Sequence, residues 1–322
     1  MSGDWYIIAN AHAGSSKTIG LWEKAQKEID AHGIGYKIVR TAHKGHAREL
    51  AREAVSQGWR NLLAVGGDGS IHEVLGGVLE GCADTGVDPA EFTLGVAPIG
   101  SGNDWIKSFG LSDDAFKVIP LMAVKATGGE DVVRVEFGGE GSHSWMANGA
   151  GTGFDAHVCE RVNRQKETGF RSKMIYLDAL MHTIFHIKAI RVRVTGDGEE
   201  RFCGECYSIA VGNGKYSGGG MRQVPLAEPD DGLIDVLVVP KAKLSKLVAE
   251  VPRLFGGTIY ESALALSFRC RELRIEPLDE ASRDIVEVDG EIEGRLPVSV
   301  SLDGRRLNVL SAKAPSIQSV AQ

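Results

Sequence analysis

Over the first third of the chain, short unbroken apolar runs alternate with longer segments whose apolar residues return every three or four positions. The runs are Trp5-Tyr6-Ile7-Ile8-Ala9, Tyr36-Lys37-Ile38-Val39-Arg40, Leu62-Leu63-Ala64-Val65 and Phe92-Thr93-Leu94-Gly95-Val96-Ala97. Their length and their β-branched and aromatic content predict strands. Between them, three groups fall on single helical faces: Leu21, Ala25 and Ile29; Ala47, Leu50, Ala51, Ala54 and Val55; and Ile71, Val74, Leu75, Val78 and Leu79. Thr41 is read as the opening of the second helix. This βαβαβαβ alternation predicts a mainly parallel sheet with helices on both faces, and ligands of such sheets bind beyond the carboxyl ends of the strands. Asn10, Thr41 and residues 66–70 and 98–104 all leave strands at that edge, so the pattern alone gathers them.

Past Gly128-Gly129 the rhythm changes. Residues 131–137, 144–147, 190–194, 207–211, 233–239, 273–275, 285–288 and 298–302 are short β-branched runs separated by glycine or acidic turns. They predict an antiparallel sandwich or barrel-like second domain. Two helices, near 173–187 and 244–254, interrupt it, and Arg306-Leu307-Asn308-Val309-Leu310 reads as a last strand.

Gly66-Gly67-Asp68-Gly69-Ser70 lies at the turn from the third strand to the third helix. Glycine there admits positive φ and lets a ligand approach the main chain, while the N–H groups of a helix start make an anion site. That describes a phosphate cradle. A carboxylate inside it, Asp68, repels phosphate oxygens unless a divalent cation or a polarised hydroxyl intervenes, which points to nucleotide with magnesium. A tight turn with an exposed aspartate is the plainer alternative. Gly14-Ser15-Ser16-Lys17-Thr18 lacks the glycine next to its lysine that a P-loop needs, and Gly212-Asn213-Gly214 is followed by Ser217 where a dinucleotide fingerprint has its third glycine.

Read in order, Asn10-Ala11-His12-Ala13-Gly14, Gly66-Gly67-Asp68-Gly69-Ser70, Pro98-Ile99-Gly100-Ser101-Gly102-Asn103-Asp104, Gly151-Thr152-Gly153-Phe154-Asp155, Asp230-Asp231-Gly232-Leu233 and Asp289-Gly290-Glu291 span nearly the whole chain. This series resembles the diacylglycerol kinase catalytic-domain family of bacterial lipid kinases, relatives of sphingosine and ceramide kinases. Ala11 stands where that family usually has proline, Gly102 where it commonly has alanine, and Ser70 and Ser101 replace threonines while keeping a hydroxyl. The resemblance implies an α/β chain: an N-terminal Rossmann-like parallel-sheet nucleotide domain over 1–128, and a C-terminal antiparallel β-sandwich substrate domain over 129–302. The final strand, about 303–314, returns to the first domain, and the active site is expected in the interdomain cleft.

The same resemblance implies an ATP- and Mg2+-dependent lipid kinase acting on a hydroxyl such as that of diacylglycerol. Nucleotide contacts are expected at Thr41, Gly66, Gly67, Asp68, Gly69, Ser70, Ile71, His72 and Ser101. Phosphoryl transfer also needs an acceptor for the hydroxyl proton. The matching glutamate of the resembled family holds that role, which makes Glu291 the expected general base and Asp68 the runner-up; Asp-Gly-Glu by itself also reads as a solvated hairpin turn. A structural magnesium is expected at Glu228, Asp231 and the carbonyl of Leu233, where a plain acidic turn is the alternative. A kinase of NAD and a nucleotide-binding regulatory protein without turnover are the other functional readings.

Composition narrows the partners. A formal net charge of −7 offers no basic footprint for nucleic acid. No apolar run reaches the roughly 18 residues needed to span a bilayer, and Met1-Ser2-Gly3-Asp4 is no signal peptide, so a cytoplasmic protein is expected. Five cysteines at irregular spacing suit reduced thiols; Cys203 and Cys206 are read as partly buried rather than metal-binding, and His182 and His186 as packing or surface residues. Membrane contact must then be local. Arg161, Arg164, Lys166, Arg171 and Lys173 precede Met174-Ile175-Tyr176-Leu177-Asp178-Ala179-Leu180-Met181, cations beside apolar groups as an interfacial contact requires, or else a buried helix with a basic leading loop. Oligomeric state is not written in the residues, and a homodimer is kept among the partners considered.

Overall fold

In the computed structural model, residues 4–10, 16–100, 102–138, 141–167 and 174–313 are described. The chain divides into two compact units, Met1–Glu130 with Arg305–Gln322, and Asp131–Gly304.

The first unit contains β1 (Trp5–Ala9), α1 (Ser16–Ala31), β2 (Tyr36–Arg40), α2 (His46–Ser56), β3 (Asn61–Gly66), α3 (Asp68–Thr85), β4 (Thr93–Pro98) and the short helices α4 (Asp104–Ser108) and α5 (Ile119–Val124). The strands lie parallel in the order β4-β3-β1-β2, with Trp5 level with Tyr36 and Asn61, and Gly66 level with Pro98. Both faces are covered, which is why these strands read as continuous apolar runs. Trp5, Ile7, Leu63, Val65 and Ala97 pack with Ala25 and Ile29 of α1 and Ile119 and Met122 of α5. The alternate residues Tyr6, Ile8, Leu62, Ala64 and Val96 are equally buried. Helices α2 and α3 touch through glycine: a Cβ on Gly77 would strike the Arg48 carbonyl, and one on Gly81 would meet Val55 at 2.7 Å. Thr41 does not open α2. Gly45, at φ 85, turns the chain first, so the helix starts at His46 and Thr41 stays in the loop with its N–H on the Ala9 carbonyl.

Strand β5 (Thr127–Phe137) leads into the second unit, which holds β6 (His143–Met146), β7 (Gly149–Gly153), α6 (Phe154–Glu167), α7 (Met174–Ile184), β8 (Ile190–Gly196), β9 (Glu199–Gly212), β10 (Ile234–Pro240), α8 (Leu244–Gly256), β11 (Leu266–Cys270), β12 (Glu272–Pro277), β13 (Ile285–Val288), β14 (Glu291–Arg295) and β15 (Val298–Leu310). Antiparallel pairing runs β14-β13-β7-β9-β8-β12-β15, with β10 between β9 and β11 and β6 on β5. The strands form a β-sandwich whose core includes Val192, Val194, Ile209, Val236, Leu273, Ile275 and Val286. The runs expected at 298–302 and 306–310 are one strand. Its first half pairs with β12, and Asn308 and Val309 pair in parallel with Thr93 and Leu94 of β4.

Helix α6 and strands β7, β11 and β14 were not foreseen by the pattern. Helix α6 is strongly polar and buries Ala156, Val158 and Val162, too few residues to mark a helical face. Strand β7 is Gly149-Ala150-Gly151-Thr152-Gly153, a composition that reads as loop.

Candidate active site

Two turns of the first unit meet main chain to main chain. A Cβ on Gly100 would lie 2.7 Å from the Gly67 Cα, and one on Gly66 would collide with the Ser70 hydroxyl. The turn after β3 and the turn after β4 are thus held at a separation only glycine permits, fixed further by the Ile99 N–H on the Gly66 carbonyl at 2.8 Å. Helix α3 begins at once with Asp68, so its first N–H groups stand beside this contact. Asn10 donates to the Ser70 hydroxyl at 3.3 Å, bringing the end of β1 to the same place. Thr41, Ile71 and His72 are buried, and the Ile71 N–H is taken by the Gly67 carbonyl at 3.2 Å. Ser101 lies outside the described residues.

Asp68 does more than line the turn. Its Oδ1 accepts the N–H groups of Asp104 at 2.8 Å and Trp105 at 3.1 Å, capping α4 from another element. Desolvation, then the neighbouring Asp104 carboxylate, push the Asp68 carboxyl up to about 6. Asp104 is buried and paired with Lys107 Nζ at 2.5 Å, while the Trp105 indole donates to Glu130 at 2.7 Å. Lys107 is a member of this buried cluster that the sequence pattern alone does not single out. Its one local signal is its position, three residues past an aspartate that itself follows a strand-end glycine turn.

In the second unit, Asp289-Gly290 is a two-residue hairpin joining β13 to β14, with φ 51 and 87 as a type I′ turn requires. It is not a solvated one. Asp289 is 9% exposed, and its carboxylate accepts N–H groups from Ala147 (2.8 Å), Asn148 (2.7 Å) and Gly149 (3.0 Å), the whole turn between β6 and β7. Cys159 and Asn163 of α6 donate to the Gly290 carbonyl, and Glu287 accepts the Gly290 N–H. Glu291, partly exposed, is therefore projected from a turn pinned on three sides. Nearby, Asp155 at the head of α6 accepts from Ser208 (2.6 Å) and Gln223 (2.5 Å), and desolvation raises it to about 6.

At 228–233 the oxygens expected to hold magnesium are engaged by organic cations. Lys215 pairs with Glu228, and Arg269 pairs with Asp231 and, at 3.1 Å, with Asp235. Asp231 also accepts the Leu233 N–H at 3.0 Å, and Asp131 accepts that of Gly232 at 2.7 Å. The donor set is all oxygen, two carboxylates and a carbonyl on one turn, and so suits a hard divalent ion. Among the described residues, the three side-chain ligand atoms that do converge belong to His43, His46 and Glu49. The His46 Nδ1 there accepts the Ala42 N–H at 2.8 Å, which leaves the proton on Nε2 and removes that nitrogen as a ligand.

The remaining sequence candidates resolve simply. Cys203 is exposed and Cys206 fully buried; three apart on β9, they point to opposite faces and cannot share a metal. Gly212-Asn213-Gly214 closes β9 and no helix follows; Asn213 is buried and donates to the Asp131 and Ala147 carbonyls. His182 and His186 stack at 4.2 Å on the surface. Arg161 pairs with Asp178 at 3.2 Å, Arg164 with Glu160 at 2.7 Å, and Lys166 lies over Tyr176. Arg171 and Lys173 lie outside the described residues. Helix α7 buries Ile175, Ala179, Leu180 and Ile184 but exposes Leu177 and Met181, with Phe185 continuing that row just past its end. No helix among the described residues is long and apolar enough to cross a membrane.

Residues 4–137 match the diacylglycerol kinase catalytic domain, and residues 149–311 the YegS C-terminal NAD kinase beta sandwich-like domain. A Mycobacterium tuberculosis protein named diacylglycerol kinase is 28% identical over 310 residues, covering 91% of this chain and 95% of its own. A Xanthomonas axonopodis pv. citri protein, named as a probable YegS-like lipid kinase, is 31% identical over 73% of each chain. In fold, the crystal structure of a diacylglycerol kinase from Bacillus anthracis superposes with a TM-score of 0.71 at 20% identity, over 96% of this chain and 97% of that one.

Proposed function

The chain belongs to the diacylglycerol kinase family, a family of lipid kinases, and on that premise we propose that it transfers the γ-phosphate of ATP, with magnesium, to a lipid hydroxyl such as that of diacylglycerol. The observation that carries this reading is the carboxylate built into the glycine turn. Asp68 sits at the first residue of α3, at the N–H groups that suit phosphate, and is itself fixed by two N–H bonds. A carboxylate so placed beside a polyphosphate calls for a cation.

In this reading Gly66, Gly67 and Gly69 let the phosphates reach the main chain, and the hydroxyls of Thr41, Ser70 and Ser101 orient them. Magnesium, when bound, neutralises charge on the phosphate oxygens. Asp68 would help hold that ion, and the N–H groups of Asp104 and Trp105 fix Asp68 in position. Glu291 takes the proton from the acceptor hydroxyl; the Asp289 network keeps its hairpin from yielding as it does so. A second, structural magnesium would be held by Glu228, Asp231 and the Leu233 carbonyl, the two carboxylates exchanging their pairing with Lys215 and Arg269 for the ion. Membrane contact uses the exposed row Leu177, Met181 and Phe185, which has apolar area without enough length to span.

Glu291→Gln tests the central assignment. Turnover should fall by about 10²–10⁴-fold with nucleotide affinity nearly unchanged, since a general base acts on the chemical step alone. Full activity would sink it. ADP release measured with diacylglycerol, sphingoid base, ceramide, phosphatidylglycerol and NAD as acceptors identifies the substrate, and release with NAD alone would overturn the lipid assignment.

A further inference from the structure

On the face of α6 turned away from the Glu291 hairpin there is an open groove of about 600 Å³ between α6 and the end of α7. His157, Arg161 and Arg164 line it from α6, and His182, His186 and Lys188 from the α7 side. Glu160 is the one carboxylate in the lining. With the histidines neutral, three cations face one anion in a chain whose net charge is −7. Desolvation, followed by the nearby Arg161 guanidinium, lowers His182 below its ordinary range against the opposing pull of Asp178. Hydrogen bonding to Asp284 raises His157 instead.

The cations keep donating capacity. Among the described residues, Arg161 bonds Asp178 through Nη2 alone of its guanidinium nitrogens, its Nε being buried from solvent. Arg164 uses Nη2 on Glu160 and is otherwise exposed, and Lys188 is exposed with no ion pair among the described residues. A guanidinium fork presents several N–H groups in one plane, the geometry a tetrahedral oxyanion accepts from two sides. The volume lies within the range of small-ligand pockets and exceeds what a bare phosphate ion fills.

We infer that this groove is a binding site for a phosphomonoester dianion, held by Arg161, Arg164 and Lys188, with the rest of the ligand lying along His182 and His186. The site is independent of the kinase assignment. Its ligand is either free phosphate or the phosphomonoester headgroup of a lipid, two sources of the same chemistry that direct titration separates.

The full chain, labelled at its histidine rings, is titrated with inorganic phosphate, with dihexanoyl phosphatidic acid and with dihexanoyl phosphatidylcholine, and the His182 and His186 resonances are followed. Saturable shifts are expected with phosphate or phosphatidic acid and none with the phosphodiester zwitterion. Phosphatidic acid acting at tenfold lower concentration than phosphate identifies the lipid headgroup; equal or weaker action identifies free phosphate. The Arg161→Gln, Arg164→Gln, Lys188→Gln triple variant should bind at least tenfold more weakly. Lys188→Gln alone, a surface change that leaves the fold intact, should weaken binding, and Lys188→Arg should retain it. Absence of shifts with both phosphomonoesters, or undiminished binding by both the triple variant and Lys188→Gln, overturns the site.

Discussion

Replacing Asp289 tests how firmly the Glu291 hairpin is held. The carboxylate serves three main-chain donors at 2.7–3.0 Å from a position 9% exposed. Hydrogen bonds to a charged acceptor contribute roughly 1.5–3 kcal/mol each, and three sharing one acceptor are not additive, so Asp289→Ala should cost about 3–5 kcal/mol. Alanine adds no new steric cost, because aspartate already carries a Cβ at φ 51. Glycine tolerates this backbone, and Asp289→Gly should therefore cost about 1 kcal/mol less than alanine. Asparagine keeps one acceptor oxygen and should lose about 1–2 kcal/mol. Amide hydrogen exchange of Ala147, Asn148 and Gly149 reads the effect directly, with protection expected to fall by about 10²–10³-fold in the alanine variant. Two compact units need not unfold together, so a local probe is preferable to a melting temperature. Wild-type protection of these amides in Asp289→Ala would refute the reasoning.

Asp68, at about 6 in the fold against an ordinary 3.8, holds its proton longer when folded; its stabilising protonated form is lost as pH rises through that window. Asp68→Asn should thus melt higher than wild type at pH 8 and alike below pH 3.8, while kcat/KM for nucleotide, rising tenfold per unit below about pH 6 in wild type, loses that inflection; a wild-type inflection near 4 contradicts this. Asp231→Ala should remove the magnesium-dependent part of thermal stability, because an ion bound only by the native state stabilises it, and wild type melting alike in magnesium and in chelator would end the proposal. Changing Leu177, Met181 and Phe185 to serine should reduce co-sedimentation with vesicles containing anionic lipid; unchanged binding would exclude this row as the contact.

The parallel sheet was legible because its strands, buried on both faces, are unbroken apolar runs, and the glycine turn because so few residues can occupy it. Asp289 was legible only as half of a hairpin. Its partners lie about 140 positions away, beyond any local pattern. Strand β7 is hidden by its own glycines, which exist for packing: a Cβ on Gly151 would meet that of Asp155 at 2.9 Å, and one on Gly149 the Val211 carbonyl at 2.9 Å. The capping of α4 by Asp68 was invisible for a similar reason, since donor and acceptor belong to different elements.

Asn308 and Val309 close the edge of β4, and Leu310 completes the packing over Leu63 and Gly95. In chain order, 174 residues of the other unit intervene between Glu130 and Arg305. On the ribosome, then, the first unit emerges early but waits for its last strand until the second has been made, at 5–20 residues per second a delay of roughly ten to thirty seconds. During that interval β4 is an open edge, exposed to pairing with any strand that reaches it. Elongation speed across the second unit thereby sets how long a nascent first unit stays vulnerable.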